Sequence, residues 1–345
     1  MRTGYVYHPI YLEHDRPGHP ESAERLERTM ARLWDSGVLD RAVQIEPRPA
    51  TLAELERVHA PAYVHRVKGV AEAGGGHLDP DTYVAPRSYE AALMAAGGLL
   101  AAVEAVLTGE IDNGFALLRP PGHHATPTRG MGFCLFNNVA IAARHALTDP
   151  QVERVFIIDF DVHHGNGTQD AFEEDPSTFY FSTHEYPFYP GTGHWSETGR
   201  GAGQGTVLNV PLPAGVGDEG FDAILHQLAW PAARRFQPDL FLVSAGYDAH
   251  WQDPLAMLLL SLTGYAGIAR ELVAMAGELC QGRILFALEG GYNLDVLSHG
   301  VLNTFYALLG EETVADPLGL ARSREHKIDP IIARLQEIHD LSSDA

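Results

Sequence analysis

Cysteine is nearly absent from this chain: Cys134 and Cys280 are the only two in 345 residues. Two thiols cannot build a disulfide framework, and the N-terminal MRTGYVYHPIYLEHDRP has none of the continuous apolar stretch of a secretion signal. Positive charge is scarce too, with 24 Lys+Arg against 45 Asp+Glu and a formal charge of −21. That balance argues against a phosphate-backbone binder, which needs Lys/Arg clusters, and against an anionic membrane surface. A basic partner stays open. Long apolar runs are also lacking, since the densest, MLLLSL from Met257, falls far short of the roughly 20 residues of a membrane span. The expectation is a soluble, cytoplasmic protein that binds neither nucleic acid nor membrane.

Histidine is plentiful, at 18 residues. It is the commonest metal ligand and a general acid/base, so where it clusters matters. Helical patterns run from Pro20 to Trp34, Ser88 to Leu107, Asn138 to Leu147, Gly220 to Phe236, Thr263 to Leu279 and Leu294 to Leu309. Thr51-x-x-Glu54 has the spacing of a capping box. Between them lie short apolar runs of strand length: Phe115 to Leu118, Val155 to Ile158, Thr178 to Phe181, Val207 to Val210, Leu240 to Val243 and Ile284 to Leu288. Continuous rather than alternating apolar runs suit strands buried on both faces. Their alternation with helices predicts an α/β fold, a single domain with a mostly parallel sheet flanked by helices on both faces. Its core is expected over about residues 3–312, with a C-terminal helical tail over 313–345.

Four of these runs end in chemistry-bearing residues. FALL leads into Arg119-Pro-Pro-Gly-His123-His124, and VFII into Asp159-Phe-Asp161-Val-His163-His164-Gly-Asn166. LFLV leads into Ser244-Ala-Gly-Tyr247-Asp248, and ILFAL into Glu289-Gly-Gly-Tyr292-Asn293. Ligands of open α/β sheets bind outside the carboxyl ends of the strands, so the four segments converge on one rim. In extended chain, residues two apart face the same way, which puts Asp159, Asp161 and His163 on one side. Two carboxylates and an imidazole on one face need a cation. Asp161 and His163, with Asp248 from another strand end, make a three-ligand metal site with open positions. Beside a metal, His123 and His124 read as a proton-transfer pair with Asp159 to orient one of them. Tyr292 reads as a donor to a developing oxyanion. Taken alone, an Asp-x-His is more often a capped turn, a His-His pair a solvated loop and a tyrosine a rim residue. Their convergence points to metal-assisted hydrolysis of a carbonyl compound. No Gly-x-Ser-x-Gly, no Walker loop and no Gly-x-Gly-x-x-Gly after a strand occurs, so serine-nucleophile and nucleotide readings lack support.

The pieces PPGHHA, DFDVHHGNGTQ, PFYPGTG, SAGYDAH and LEGGYN, with Gly18-His-Pro-Glu21 and Leu78-Asp-Pro-Asp-Thr-Tyr83, resemble the zinc-dependent histone deacetylase family in order and over nearly the whole chain. That family also holds the acetylpolyamine amidohydrolases and, distantly, the arginases. The resemblance implies an arginase/deacetylase-like fold with one catalytic Zn²⁺ on Asp161, His163 and Asp248. It implies a tandem acid/base pair, His123 backed by Asp159 and His124 backed by Asn166, the latter as in the class II branch. His124 is then chiefly the proton donor to the leaving amine, and Tyr292 the transition-state tyrosine. Gly132, Phe133 and Tyr189 match the positions lining the family's acyl-lysine channel, whose aromatic walls suit an apolar stem. The family's structural K⁺ ions would use Asp159, Asp161 and His163 with Ser182, and backbone oxygens near Phe172, Asp175 and Thr178. Leu255 is apolar where polyamine-selective relatives carry an acidic gate. This favours acetyl-lysine or small N-acetyl amine substrates over acetylpolyamines. A two-metal arginase-like ureohydrolase and an inactive acyl-binding module are the weaker alternatives.

Overall fold

The computed structural model describes residues 1–341. Its strands are β1 (Thr3–Val6), β2 (Val43–Gln44), β3 (Gly76–His77), β4 (Tyr83–Val84), β5 (Asn113–Ala116), β6 (Val155–Asp159), β7 (Thr178–Glu185), β8 (Val207–Leu212), β9 (Leu240–Ala245) and β10 (Ile284–Leu288). Eight of them make one sheet in the order β2-β1-β5-β10-β9-β6-β7-β8, with every neighbouring pair parallel. β3 and β4 form a small antiparallel pair apart from it. Every residue of β5 to β10 is buried, which explains why these strands read as continuous apolar runs.

The helices that matter here are α1 (Ala23–Asp35), α2 (Leu52–Leu55), α3 (Pro61–Glu72), α4 (Ser88–Leu107), α5 (Asn138–Ala146), α6 (Asn166–Phe172), α7 (Asp218–Ile224), α8 (Trp230–Phe236), α9 (Leu262–Leu279), α10 (Leu294–Leu308) and α11 (Asp329–His339). α4 packs with α5, while α1, α10 and α9 pack as a second group, so helices flank the sheet. Parallel strands need such crossovers, and right-handed ones carry each helix back onto the sheet.

Four expectations need correction. The strand expected at Phe115 to Leu118 begins and ends two residues earlier, because it pairs with β1 from Asn113 to Ala116, the last bond to that strand running from Leu117 N–H to Val6 O. β1 itself escaped notice, being short and mixed in polarity. The helix expected from Gly220 to Phe236 contains a π segment over Leu225–Ala229. Pro231 follows at the start of α8; it lacks an N–H and its ring collides with the carbonyl four residues back, and the wider turn absorbs both. Among the described residues the tail is helical only in α11. Residues 313–328 carry Pro317 and Gly319 and run irregularly, and residues 342–345 lie outside those described. This strap supports α7. Gly217, the residue before that helix, has no side chain to cap it, and the Glu325 carboxylate accepts the N–H groups of Gly217, Glu219 and Gly220 instead (3.1, 3.2 and 3.3 Å). Finally, α4 is long and apolar enough by composition to cross a bilayer, contrary to the expectation from unbroken apolar runs, which Glu90 and Glu104 interrupt; most of its residues are buried in the protein core.

The Thr51–Glu54 capping box forms in both directions, although α2 behind it lasts a single turn.

Candidate metal centre and active site

The middle of the sheet reads β5-β10-β9-β6, so the four chemistry-bearing segments leave adjacent strands. Register aligns their ends: Ala116 pairs with Ala287, Leu288 with Ala245, and Asp159 with Ser244. Beyond these ends one atom each of Asp161, His163 and Asp248 lies within 4.8 Å of the others, all three residues buried. His163 Nδ1 stands 3.2 Å from Asp161 Oδ1 and 3.3 Å from Asp248 Oδ2.

The hydrogen bonds around this cluster define which atoms face inward. Asp161 Oδ2 accepts Gly290 N–H (2.8 Å), and Asp248 Oδ1 accepts Val162 N–H (3.0 Å). Asp248 Oδ2 is buried with no hydrogen-bond partner. Only His163 Nδ1 faces it, and a buried carboxylate oxygen so sparsely satisfied carries a desolvation cost that a cation or a further donor offsets. Burial opposes charge on His163, yet Asp161 and Asp248 outweigh it and lift its pKa to about 10. Two carboxylates against one imidazole therefore require a positive charge, either a proton on His163 or a metal ion in its place. The donor set fits a divalent metal with open coordination positions.

The tandem histidines stand beside the cluster, ring centroids 4.0 Å apart. His123 Nδ1 donates to Asp159 Oδ2 (3.1 Å), and His124 Nδ1 to Asn166 Oδ1 (2.9 Å). Each Nε2 is thereby left free for chemistry. The backing groups differ in charge, and so do the imidazoles. Burial opposes a proton on His123, but Asp161 and Asp159 overcome it and raise the pKa to about 10. His124 is pushed well below the ordinary value by burial and by the charges of His123 and His163. Asp159 is further fixed by Tyr180 Oη (3.1 Å).

Aromatic rings close the site from above. Tyr189 meets His124 edge-on (5.1 Å, 89°), Phe133 meets Tyr292 edge-on (5.8 Å, 85°), and Phe188 stacks on His163 (5.7 Å, 22°). Gly132 has a positive φ of 55°, and a Cβ there would collide with the His124 ring, so this position is closed to any other residue. Thr82 Oγ1 accepts Phe133 N–H (3.1 Å). Leu255 lies on a loop whose Asp253 carboxylate also holds the Tyr292 turn.

The residues named for monovalent ions divide into two places. Asp159 and Ser182 are register partners in β6 and β7, next to Asp161 and His163. Phe172 O and Asp175 O each accept a backbone N–H in the turn after α6, and the buried Thr178 Oγ1 has no partner.

Sequence reasoning gave no role to several residues that hold the site. Glu289 accepts Gly122 N–H (2.7 Å) and His123 N–H (3.2 Å), fixing the turn that carries the histidines. Glu21 bonds both Arg25 and Arg119; Arg119 also donates to Tyr11 O and His14 O, and Arg25 to Gly291 O and Glu289 O. His19 and Phe188 add to the aromatic wall. Glu21, Arg119 and Glu289 stand inside or next to the quoted motifs, but only their burial reveals what they do.

A parallel α/β sheet with a buried two-aspartate, one-histidine cluster at its central strand ends defines a candidate metalloprotein of arginase/deacetylase architecture. The family model described as histone deacetylase domain matches residues 19–308. Histone deacetylase 14, chloroplastic, from Arabidopsis thaliana is 43% identical over 96% of this chain and 83% of its own length. Polyamine deacetylase HDAC10 from Homo sapiens is 39% identical over 90% of this chain and 48% of its own. The crystal structure of the HDA15 HD domain superposes with a TM-score of 0.90 at 36% identity, covering 98% of this chain and 94% of that one. The chain belongs to the histone deacetylase family.

Proposed function

We propose that this protein is a zinc-dependent deacetylase that hydrolyses the acetamide of N-acetylated amines, acetyl-lysine in peptides or proteins first among them, and releases acetate. The observation that carries this reading is the buried Asp161–His163–Asp248 cluster, whose two carboxylates share the single His163 imidazole, flanked by two further imidazoles held through Nδ1. Asp161, His163 and Asp248 would hold the zinc ion, which when bound polarises a carbonyl and lowers the pKa of water.

The protein's own groups divide the remaining work. The aromatic walls of Phe133 and Tyr189 take the apolar stem of the acylated amine. His124, neutral and held through Nδ1 by a neutral amide, accepts the proton of the attacking water at Nε2. As the C–N bond breaks it returns that proton to the departing nitrogen; the second hydrogen of the water leaves on the acid or moves to the amine, so the products are acetic acid and free amine or, equivalently, acetate and ammonium. His123, backed by the Asp159 carboxylate, stands beside the metal cluster with its Nε2 3.8 Å from Asp161 Oδ1, where it faces the developing oxyanion. Tyr292 donates its hydroxyl hydrogen to the same oxygen; burial, then Asp248 and Asp161, hold its pKa well above the ordinary value, so the proton stays on the phenol.

Turnover of an acetyl-lysine peptide by zinc-loaded protein tests the reading. Loss of turnover in Asp248→Ala and on chelation supports it, and activity that survives both overturns it. Acetylpolyamine hydrolysis is the second reading, favoured by the likeness to a relative named for polyamines and opposed by the apolar Leu255. Acetylputrescine and acetylspermidine beside the peptide separate the two. Structural potassium belongs to the same proposal, supported at the second place by the partnerless Thr178 Oγ1.

A further inference from the structure

Tyr292 sits on a turn that cannot orient it unaided. Gly290 and Gly291 precede it, and Gly291 has a φ of 115°, a conformation glycine adopts without preference over several others. The position of the phenol is therefore set by whatever holds this turn from outside. On its carbonyl side stands Arg25, bonding Glu289 O (2.6 Å) and Gly291 O (2.7 Å). On its N–H side Asp161 takes only Gly290, and the N–H groups of Tyr292 itself and of Asn293 go to a second carboxylate, Asp253, which is only 6% exposed.

Asp253 Oδ2 accepts the N–H of Tyr292 (2.8 Å) and of Asn293 (3.2 Å). Its other oxygen, Oδ1, accepts the N–H of Leu255 (2.9 Å). A parallel tie joins the same two segments, from Asn293 Nδ2 to Gln252 O (3.2 Å), and Asn293 Oδ1 in turn caps the start of α10. One side chain thus joins the loop carrying Leu255 to the turn carrying Tyr292, and both to a helix.

We infer that Asp253 is a positioning residue for Tyr292 and couples the Leu255 loop to the placement of the phenol hydroxyl. The inference rests on the reading of Tyr292 as an oxyanion donor. An acceptor-only carboxylate is the group this place requires, because three N–H donors converge on it from two segments. An amide offers one oxygen and turns an NH₂ toward a donor, so it can keep one segment and must release the other. Since a donor misplaced by about 1 Å can cost roughly a hundredfold in rate, the effect belongs in kcat. A substrate that displaces the Leu255 loop would move Tyr292 with it, so selectivity would show in kcat as well as in KM.

The test compares zinc-loaded wild type, Asp253→Asn, Tyr292→Phe and the double variant on an acetyl-lysine peptide. The expected result is a kcat at least tenfold lower in Asp253→Asn, with KM within twofold and zinc content unchanged. In the Tyr292→Phe background the same substitution should change kcat less than twofold, because the hydroxyl it positions is gone. An equal proportional loss in both backgrounds, or no loss in the wild-type background, overturns the proposal and leaves the deacetylase reading standing. If wild type hydrolyses no N-acetyl amine, the functional reading fails separately, and amide hydrogen exchange decides Asp253's part. At least tenfold faster exchange at Tyr292 and Asn293 in Asp253→Asn supports the clamp, and unchanged exchange overturns it. Should Asp253→Asn not fold, Asp253→Glu is read by the same criteria.

Discussion

Two charged clusters are buried a short way apart in this protein, and they differ in how completely they are satisfied. Around Glu21, both carboxylate oxygens are taken by Arg25 and Arg119, and the guanidinium hydrogens left over reach backbone carbonyls of four other residues. Burial pushes the Glu21 carboxyl up, but Arg119 and then Arg25 outweigh it and hold it at about 2. Around Asp248, no guanidinium approaches among the described residues; its partners are a backbone N–H, the shared His163 and the like charge of Asp161, and one oxygen has no hydrogen-bond partner. In the first cluster both carboxylate oxygens meet guanidinium groups, even though the neighbouring His14 Nε2 makes no hydrogen bond, and the cluster braces the structure. The second is left open on the side where a ligand belongs. Burial and charge alone do not separate a brace from a site; whether the carboxylates meet a fixed guanidinium does.

Four experiments break or sharpen that contrast. The largest effect is expected at the open cluster: Asp248→Ala, or chelation of wild type, should lower turnover at least about a thousandfold, since a metal supplies several kcal/mol of charge stabilisation. Thermal unfolding gives the companion measurement. Zinc should raise the melting temperature of wild type and leave Asp248→Ala unmoved, because a ligand stabilises only a state that binds it. Equal shifts in both proteins would show that the metal sits elsewhere.

Tyr292→Phe should cut kcat by about a hundred- to a thousandfold, the effect of losing one oxyanion donor, with little change in inhibitor binding. An unchanged kcat would remove the tyrosine from the chemistry.

At the closed cluster the effect should be on stability instead. Glu21→Gln leaves two buried guanidiniums without their counter-charge and should cost about 3–5 kcal/mol in a urea melt, with or without zinc. The pH dependence carries a definite sign. The folded pKa of Glu21 lies near 2, below the ordinary 4.5, so its contribution is complete above about pH 4.5 and is lost as pH falls toward 2. The stability difference between wild type and Glu21→Gln should therefore shrink across that window; a difference that is flat in pH would contradict the ion pairing. The smallest effect belongs to the surface, where Lys68 and Glu72 pair one helical turn apart in solvent, and Lys68→Ala should leave the melting temperature unchanged.

The contrast also explains what was legible beforehand. The strands could be read because a parallel strand buried on both faces must be apolar throughout, as in Val155 to Ile158 and Ile284 to Leu288. Asp161, His163, Asp248 and the tandem histidines could be named because each directly follows such a strand. The brace could not be read in the same way. Glu21, Arg25 and Arg119 are ordinary charged residues in the chain, and nothing local distinguishes them from solvated ones. Their role follows from complete burial, which only the packing of segments distant in the chain produces. Asp253 and Glu289 escaped for a related reason: they bond backbone N–H groups far away in sequence, and backbone amides leave no trace in composition.

By itself the sequence determined the kinds of element, the apolar lining of each strand and the identity of the groups able to hold a metal or move a proton. These are local properties, set by side-chain chemistry and by the two-residue period of extended chain. Tertiary structure alone decided the order β5-β10-β9-β6, which brings four separated segments to one rim, and which carboxylates meet a guanidinium and which do not. Strand order and long-range pairing are cooperative outcomes of packing, so no short window of residues contains them.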